Sequence, residues 1–153
     1  MKNLILIIVL FLSINCSKDK ESTNFTPQTI TPVLLGKGEL MIPFNNIITT
    51  QNIVLSSQND WNNFITILGN SGNTSAILNQ TTIDFNLFEV IAVFDSVKPT
   101  GGSNDITIIT NVVENANNIV VTLQTPQSGD ATIPTQPFHI VKIPVSTKPV
   151  VFQ

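Results

Sequence analysis

The run Phe88-Glu89-Val90-Ile91-Ala92-Val93-Phe94 constrains the fold more than any other stretch, because it is apolar everywhere except Glu89. Successive side chains of a strand point to opposite faces of its sheet. A strand apolar on both faces therefore belongs in the interior, with another layer over each side. Asp84 before the run and Asp95 after it bracket it with charge, as gatekeeping residues do.

Only one segment has helical periodicity. Trp61, Phe64, Ile65 and Leu68 fall at i, i+3, i+4 and i+7 and form one apolar stripe. Ser57 with Asp60 three residues later gives a capping-box-like start, and Gly69 is placed to end the turn, so the spacing predicts a helix over 58–68. Elsewhere the alternation is strand-like. Ile119, Val121 and Leu123 alternate with Val120, Thr122 and Gln124, and Ile106, Ile108 and Thr110 alternate with Asp105, Thr107 and Ile109. The turn-rich segment from Glu114 to Asn118 joins these two as a hairpin. Further strands are expected around 37–42, 46–55, 138–144 and 149–152. About seven strands and one helix make a mainly β (α+β) fold, an antiparallel sandwich-like sheet with the helix on one face or closing an end. No solenoid repeat or coiled-coil heptad is present.

Composition narrows the functional classes. The 153 residues carry a net charge of −3, and all seven basic residues are lysine. Without clustered cations, nucleic acid is not an expected partner. Bidentate arginine clamps for phosphate or carboxylate ligands are excluded outright. One His and one Cys leave little room for metal or nucleophile chemistry built on those residues. No cofactor is expected.

The N-terminus reads as a targeting signal. Lys2 is followed by nine apolar residues, Leu4 to Leu12, and then by Ser13, Ile14, Asn15 and Cys16. Nine helical residues cover about 14 Å, against a hydrocarbon core of about 30 Å, so this run is too short to span. The only cysteine stands directly after it, where a bacterial lipoprotein signal places the thiol that receives a diacylglycerol. The segment resembles a lipobox, with 1–15 as signal peptide and Cys16 as the lipidated first mature residue. Residues 16–32, polar, Thr-rich and carrying Pro27 and Pro32, are expected to be a tether because they bury too little apolar area to offset ordering entropy. A single domain then covers 33–153. The lipid anchor implies the cell envelope, at the outer membrane, with the periplasmic or surface face left open. The run Lys18-Asp19-Lys20-Glu21 is similar to the charged tags of surface-exported lipoproteins, but for so short a run a solvated linker is the preferred reading.

Two motifs carry a family resemblance. The first is Val97-Lys98-Pro99-Thr100-Gly101-Gly102, directly after the apolar strand; the second is Thr135-Gln136-Pro137-Phe138-His139-Ile140-Val141-Lys142-Ile143-Pro144. Together with Ile83-Asp84-Phe85 and the Ser57 to Leu68 helix, their order resembles the PrcB C-terminal domain family over residues 57–152. Members are protease-complex subunits of bacterial lipoprotein type. The family usually has an aromatic after the glycine pair, where this chain has Ser103. The resemblance implies a non-enzymatic accessory subunit that binds or stabilises an envelope protease. Lys98, Pro99, Thr100, Gly101 and Gly102 would form the contact loop, with Pro137 and Phe138 as a second patch. Two other readings stand beside it. One is a protease-inhibitor-like sandwich, by a likeness of Pro-Thr-Gly-Gly to the Pro-Thr-Thr-Gly loop of chagasin-type inhibitors. The other is a structural or ligand-carrying envelope module.

Physically, Pro99 presets a turn dihedral and Gly101-Gly102 allows positive φ or close backbone approach, which suits a tight inter-strand connection as well as an exposed loop. Pro137 lacks an amide hydrogen, so its strand is expected to start after it or to lie at an edge. His139 shares a face with Val141 and Ile143, and Lys142 shares the other with Phe138 and Ile140. His139 has no second His or Cys with which to bind a metal. Ser128, Asp130 and His139 lack any nucleophile-elbow context for a triad, and strand alternation accounts for Asp84, Glu89, Asp95 and Asp105 without chemistry. No catalytic residue is assigned.

Overall fold

A computed structural model describes residues 25–42, 46–71, 77–103 and 105–153. Met1 to Asn24, with the expected signal peptide, Cys16 and the first part of the tether, lie outside the described residues. The elements run β1 (Gln28–Thr29), β2 (Val33–Met41), β3 (Gln51–Leu55), α1 (Gln58–Ser71), β4 (Phe88–Phe94), β5 (Ile109–Glu114), β6 (Ile119–Leu123), β7 (Thr135–Pro144) and β8 (Val150–Phe152). They form two four-stranded sheets, a central one ordered β2-β7-β4-β3 and an outer one ordered β1-β5-β6-β8. The mainly β, sandwich-like fold is thus observed. One pair departs from antiparallel geometry: β8 runs parallel to β6.

The central sheet is covered on both faces, as the apolarity of Phe88–Phe94 requires. On one side Trp61, Phe64 and Leu68 of α1 pack against Val90, Ala92 and Phe94 of β4 and Phe138 and Ile140 of β7. On the other, Ile91, Val93, Val141 and Ile143 meet Ile109, Val112, Ile119 and Val121 of the outer sheet. Trp61 is fully buried, stacks on Phe64 at 5.6 Å, and donates its indole N–H to the Thr81 carbonyl at 2.6 Å. The buried indole thus keeps its hydrogen bond.

The start of α1 follows the capping logic closely. The Asp60 amide donates to Ser57 Oγ at 3.1 Å, and that hydroxyl donates to the Asp60 carboxylate at 2.6 Å. The end differs from expectation, because the helix continues through Gly69 to Ser71. Ser71 lies three residues beyond Leu68 on the same stripe, is itself buried, and donates its hydroxyl to the Ile67 carbonyl. Packing of the next turn outweighs the preference of glycine for ending a helix.

Strand boundaries also move: β2 starts at Val33 rather than near 37, and β3 keeps only Gln51–Leu55 of the expected 46–55. Gln28–Thr29, read as tether, pairs with Glu114 and Val113 of β5, so the fold begins before Val33. The first hairpin strand begins at Ile109 rather than near Ile106, and Ile108 and Ile109 are both buried in succession. Both of their amides donate to His139 Nδ1, at 3.2 and 3.0 Å, and the ladder then shifts register between Ile109 and Asn111. The imidazole has taken the place of a partner strand there.

Pro137 gives the clearest correction. It lies inside β7, an interior strand, opposite Glu39 of β2. Its carbonyl accepts from the Asp95 amide at 3.0 Å, just past the end of β4. The N–H that proline lacks would face the same side of the strand. There the side-chain amide of Gln136 donates to the Asp95 carbonyl at 3.0 Å. That amide also bridges both backbone groups of Ile48, and Gln136 is fully buried. A side chain thus supplies the missing donor, and proline is accommodated mid-sheet.

Candidate functional site

β4 delivers the chain to one end of the central sheet, where residues 95–102 turn back across the start of β7. Lys98 and Thr135 exchange two backbone hydrogen bonds, at 2.7 and 3.0 Å. Gly101 donates to the carbonyls of Ile133 and Ala131 and accepts from the Ala131 amide. The Gly102 amide donates to Glu39 Oε2 at 2.7 Å, which ties the loop to β2 as well. Both glycines are required by geometry. A Cβ on Gly101 would lie 2.2 Å from Thr135 Cγ2, and Gly102 has φ of +77°. The loop is therefore held from two sides, with Pro99 and Thr100 at its bend.

The five loop residues differ in what they offer to solvent. Pro99 and Gly102 are exposed, Thr100 is half-buried, and Gly101 is buried. Lys98 keeps only 13% of its side chain exposed and pairs with Asp95 at 3.0 Å, so its charge is compensated within the fold. The second patch is corrected. Phe138 is 3% exposed, stacks on Phe94 and lies under the helix, while Pro137 is buried within β7. Neither presents a surface to a partner.

The apolar neighbours of the loop lie elsewhere. Met41 pairs with Thr135, whose other neighbour is Lys98, and the Ile42 amide donates to the Pro134 carbonyl. Met41, Val97 and Ile133 are each more than a third exposed. All three lie at this end of the sheet: Met41 opposite Thr135, Val97 next to Lys98, and Ile133 at the carbonyl that takes the Gly101 amide. The sequence carried no signal for Met41 or Glu39, since both arrive from a strand about sixty residues upstream.

Beside Gly102 opens a cleft of about 460 Å³, lined by Ser103 and Asp105 on one side and Gln124, Ser128 and Asp130 on the other. His139 does not line it, so Ser128 and Asp130 are not brought to the imidazole. That ring lies between the sheets with Nδ1 accepting from two amides, and burial, reinforced by nearby Lys37, pushes its pKa down to about 4. It remains a neutral acceptor at physiological pH. The four carboxylates serve separately. Asp84 caps the turn at Asn86, Asp95 holds Lys98, and Asp105 accepts from the Thr107 amide, which lowers its pKa. Glu89 is buried with Oε1 unpartnered, and desolvation raises its pKa. Among the described residues no three His, Cys, Asp or Glu side chains converge.

Fold and site together define a class: a helix-covered β-sandwich whose central sheet carries, at one end, a pinned and charge-compensated loop with an apolar rim. Compared with known proteins, the chain matches no family model, no curated protein and no solved structure.

Proposed function

We propose that this chain is a lipid-anchored, non-enzymatic accessory subunit of the cell envelope, which binds or stabilises a protease through the end that carries Lys98–Gly102. Its family resemblance over 57–152 supplies the partner class, and the lone Cys16 after a short apolar run supplies the anchor. The observation that carries the reading is the pinning of the loop by Thr135, Ala131 and Glu39, with Pro99 and the Met41, Val97 and Ile133 side chains left exposed around it. A surface already ordered before contact loses little entropy on association. The contact set is therefore Pro99 and Thr100 with that apolar rim.

Copurification of the intact lipoprotein from solubilised envelope tests this directly. An enriched protease whose recovery falls with Thr100→Ala or Met41→Asp, at unchanged melting, is the expected result. Recovery that is unaffected by both variants, or that involves no protease, overturns the reading. Turnover of the recovered protease separates a stabilising subunit from the inhibitor-like alternative. The first preserves or raises activity, and the second lowers it.

A further inference from the structure

We infer that the end of the domain opposite the Lys98–Gly102 loop seats on the lipid bilayer and turns the loop away from the membrane. The inference rests on the lipid anchor proposed above. β4 starts at Phe88, paired with Pro144, and ends at Phe94, next to the loop, so these two ends lie at opposite extremes of the central sheet. The described chain enters at the Phe88–Pro144 end. Phe25 lies under Lys148, whose ammonium is 4.0 Å from the ring and 2.7 Å from Glu114. Residues 28–31 then border a recess shared with Glu114, Pro144 and Val145.

Four apolar side chains at this entry end are exposed: Phe25 at 40%, Val33 at 49%, Leu87 at 59% and Val145 at 44%. Leu87 and Val145 are neighbours, joined by the Val145 amide and the Leu87 carbonyl. The cations nearby are already engaged, Lys148 by Glu114 and Lys142 by the Phe88 ring and Gln80. Asp84 is the exposed carboxylate of the adjoining turn, and its Oδ1 accepts from Asn86. The rim therefore favours an acyl-chain boundary through apolar contact, and anionic lipid is not needed.

The anchor determines what covers this rim. Cys16 precedes Phe25 by nine residues, which span about 30 Å at most when fully extended. A diacylglycerol on Cys16 holds the entry end within that distance of the bilayer. The loop stands farther off by the length of β4, about 20 Å. Each apolar side chain is too small to bind a membrane alone. Tethering makes the encounter intramolecular, and modest burial then decides orientation.

The test uses the full lipoprotein in phosphatidylcholine vesicles containing brominated acyl chains. Lipidation blocks the only native thiol, so Thr147→Cys at the entry end and Thr132→Cys beside the loop each provide a single labelling site for an environment-sensitive fluorophore. Quenching and a blue shift at 147 but not at 132 are expected. Adding Leu87→Asp and Val145→Asp, both at exposed positions, should abolish the quenching at 147 without altering the melt. Equal, solvent-like emission at both positions in a chain whose mass confirms the lipid would overturn the seating and leave the anchor standing. A chain recovered with an unmodified Cys16 would remove the anchor and the seating together.

Discussion

Two buried polar residues of β7, Gln136 and His139, satisfy backbone groups as no apolar side chain could, while buried Glu89 of β4 carries an unpartnered oxygen. Gln136 satisfies both backbone groups of Ile48 and the Asp95 carbonyl, so Gln136→Leu leaves both Ile48 groups without partners and the Asp95 carbonyl with only the Thr50 hydroxyl at 3.5 Å. At about 1 to 3 kcal/mol for each such group, offset in part by relaxation, we expect a loss of about 3 kcal/mol in a denaturant melt. A loss below about 1 kcal/mol would mean that water reaches the site. His139 and Glu89 face the same inter-sheet layer and have opposite pH signatures. The folded pKa of His139, about 4, lies below its ordinary value of 6.5, so the unfolded chain binds the proton more readily. Its stabilisation is complete above pH 6.5 and is lost as pH falls towards 4, by about 3 kcal/mol. As the sole histidine, its ring resonances report this without assignment, and an imidazole titrating near 6.5 contradicts it. Glu89, with its pKa raised by burial, acts in the other direction, since stability declines as pH rises from 4.5 through the folded value. Glu89→Gln should therefore be more stable than the parent at pH 7, by a margin that closes in acid.

At the scale of the element, α1 contributes the largest aromatic of the core. Trp61→Ala removes a fully buried indole together with its hydrogen bond to Thr81, and should cost about 3 to 5 kcal/mol. Ser57→Ala, which removes only the cap, should cost about 1 kcal/mol in the same melts. If the two were equal, the stripe would contribute little more than its first turn. What was legible in the chain follows the same local logic. The cap at Ser57 and Asp60, the stripe it starts and the two-faced apolarity of β4 are properties of adjacent residues, and all three are found in the fold. Pro137 and the start of β5 were misread because their partners, the Gln136 amide and the His139 ring, act across elements. The candidate loop was legible as a turn through its Pro and Gly pair. Its second patch was not, since Phe138 shares a face with Ile140 and only the fold shows that α1 covers that face. Glu39, which holds the Gly102 amide, gives no cue of its role at a distance of 63 residues.

The whole molecule is organised around β7, the penultimate strand in the chain and an inner strand of its sheet. It pairs with β2 through Val33 to Lys142 and Met41 to Thr135, and with β4 along its other side. Roughly a hundred residues separate β2 from β7, whereas β5 and β6 form the hairpin between them. This order makes maturation a late event. Until Thr135–Pro144 is available, β2 has no partner and the side of β4 away from β3 is open, so the layer beneath α1 cannot close. A chain ending before Thr135 should accordingly show no cooperative melt, and a sharp transition in such a fragment would refute that dependence. Closing so long a loop before its contacts form makes folding slow. Under the envelope location proposed above, that slow closure would keep the chain open and fit for transport until it has crossed the membrane.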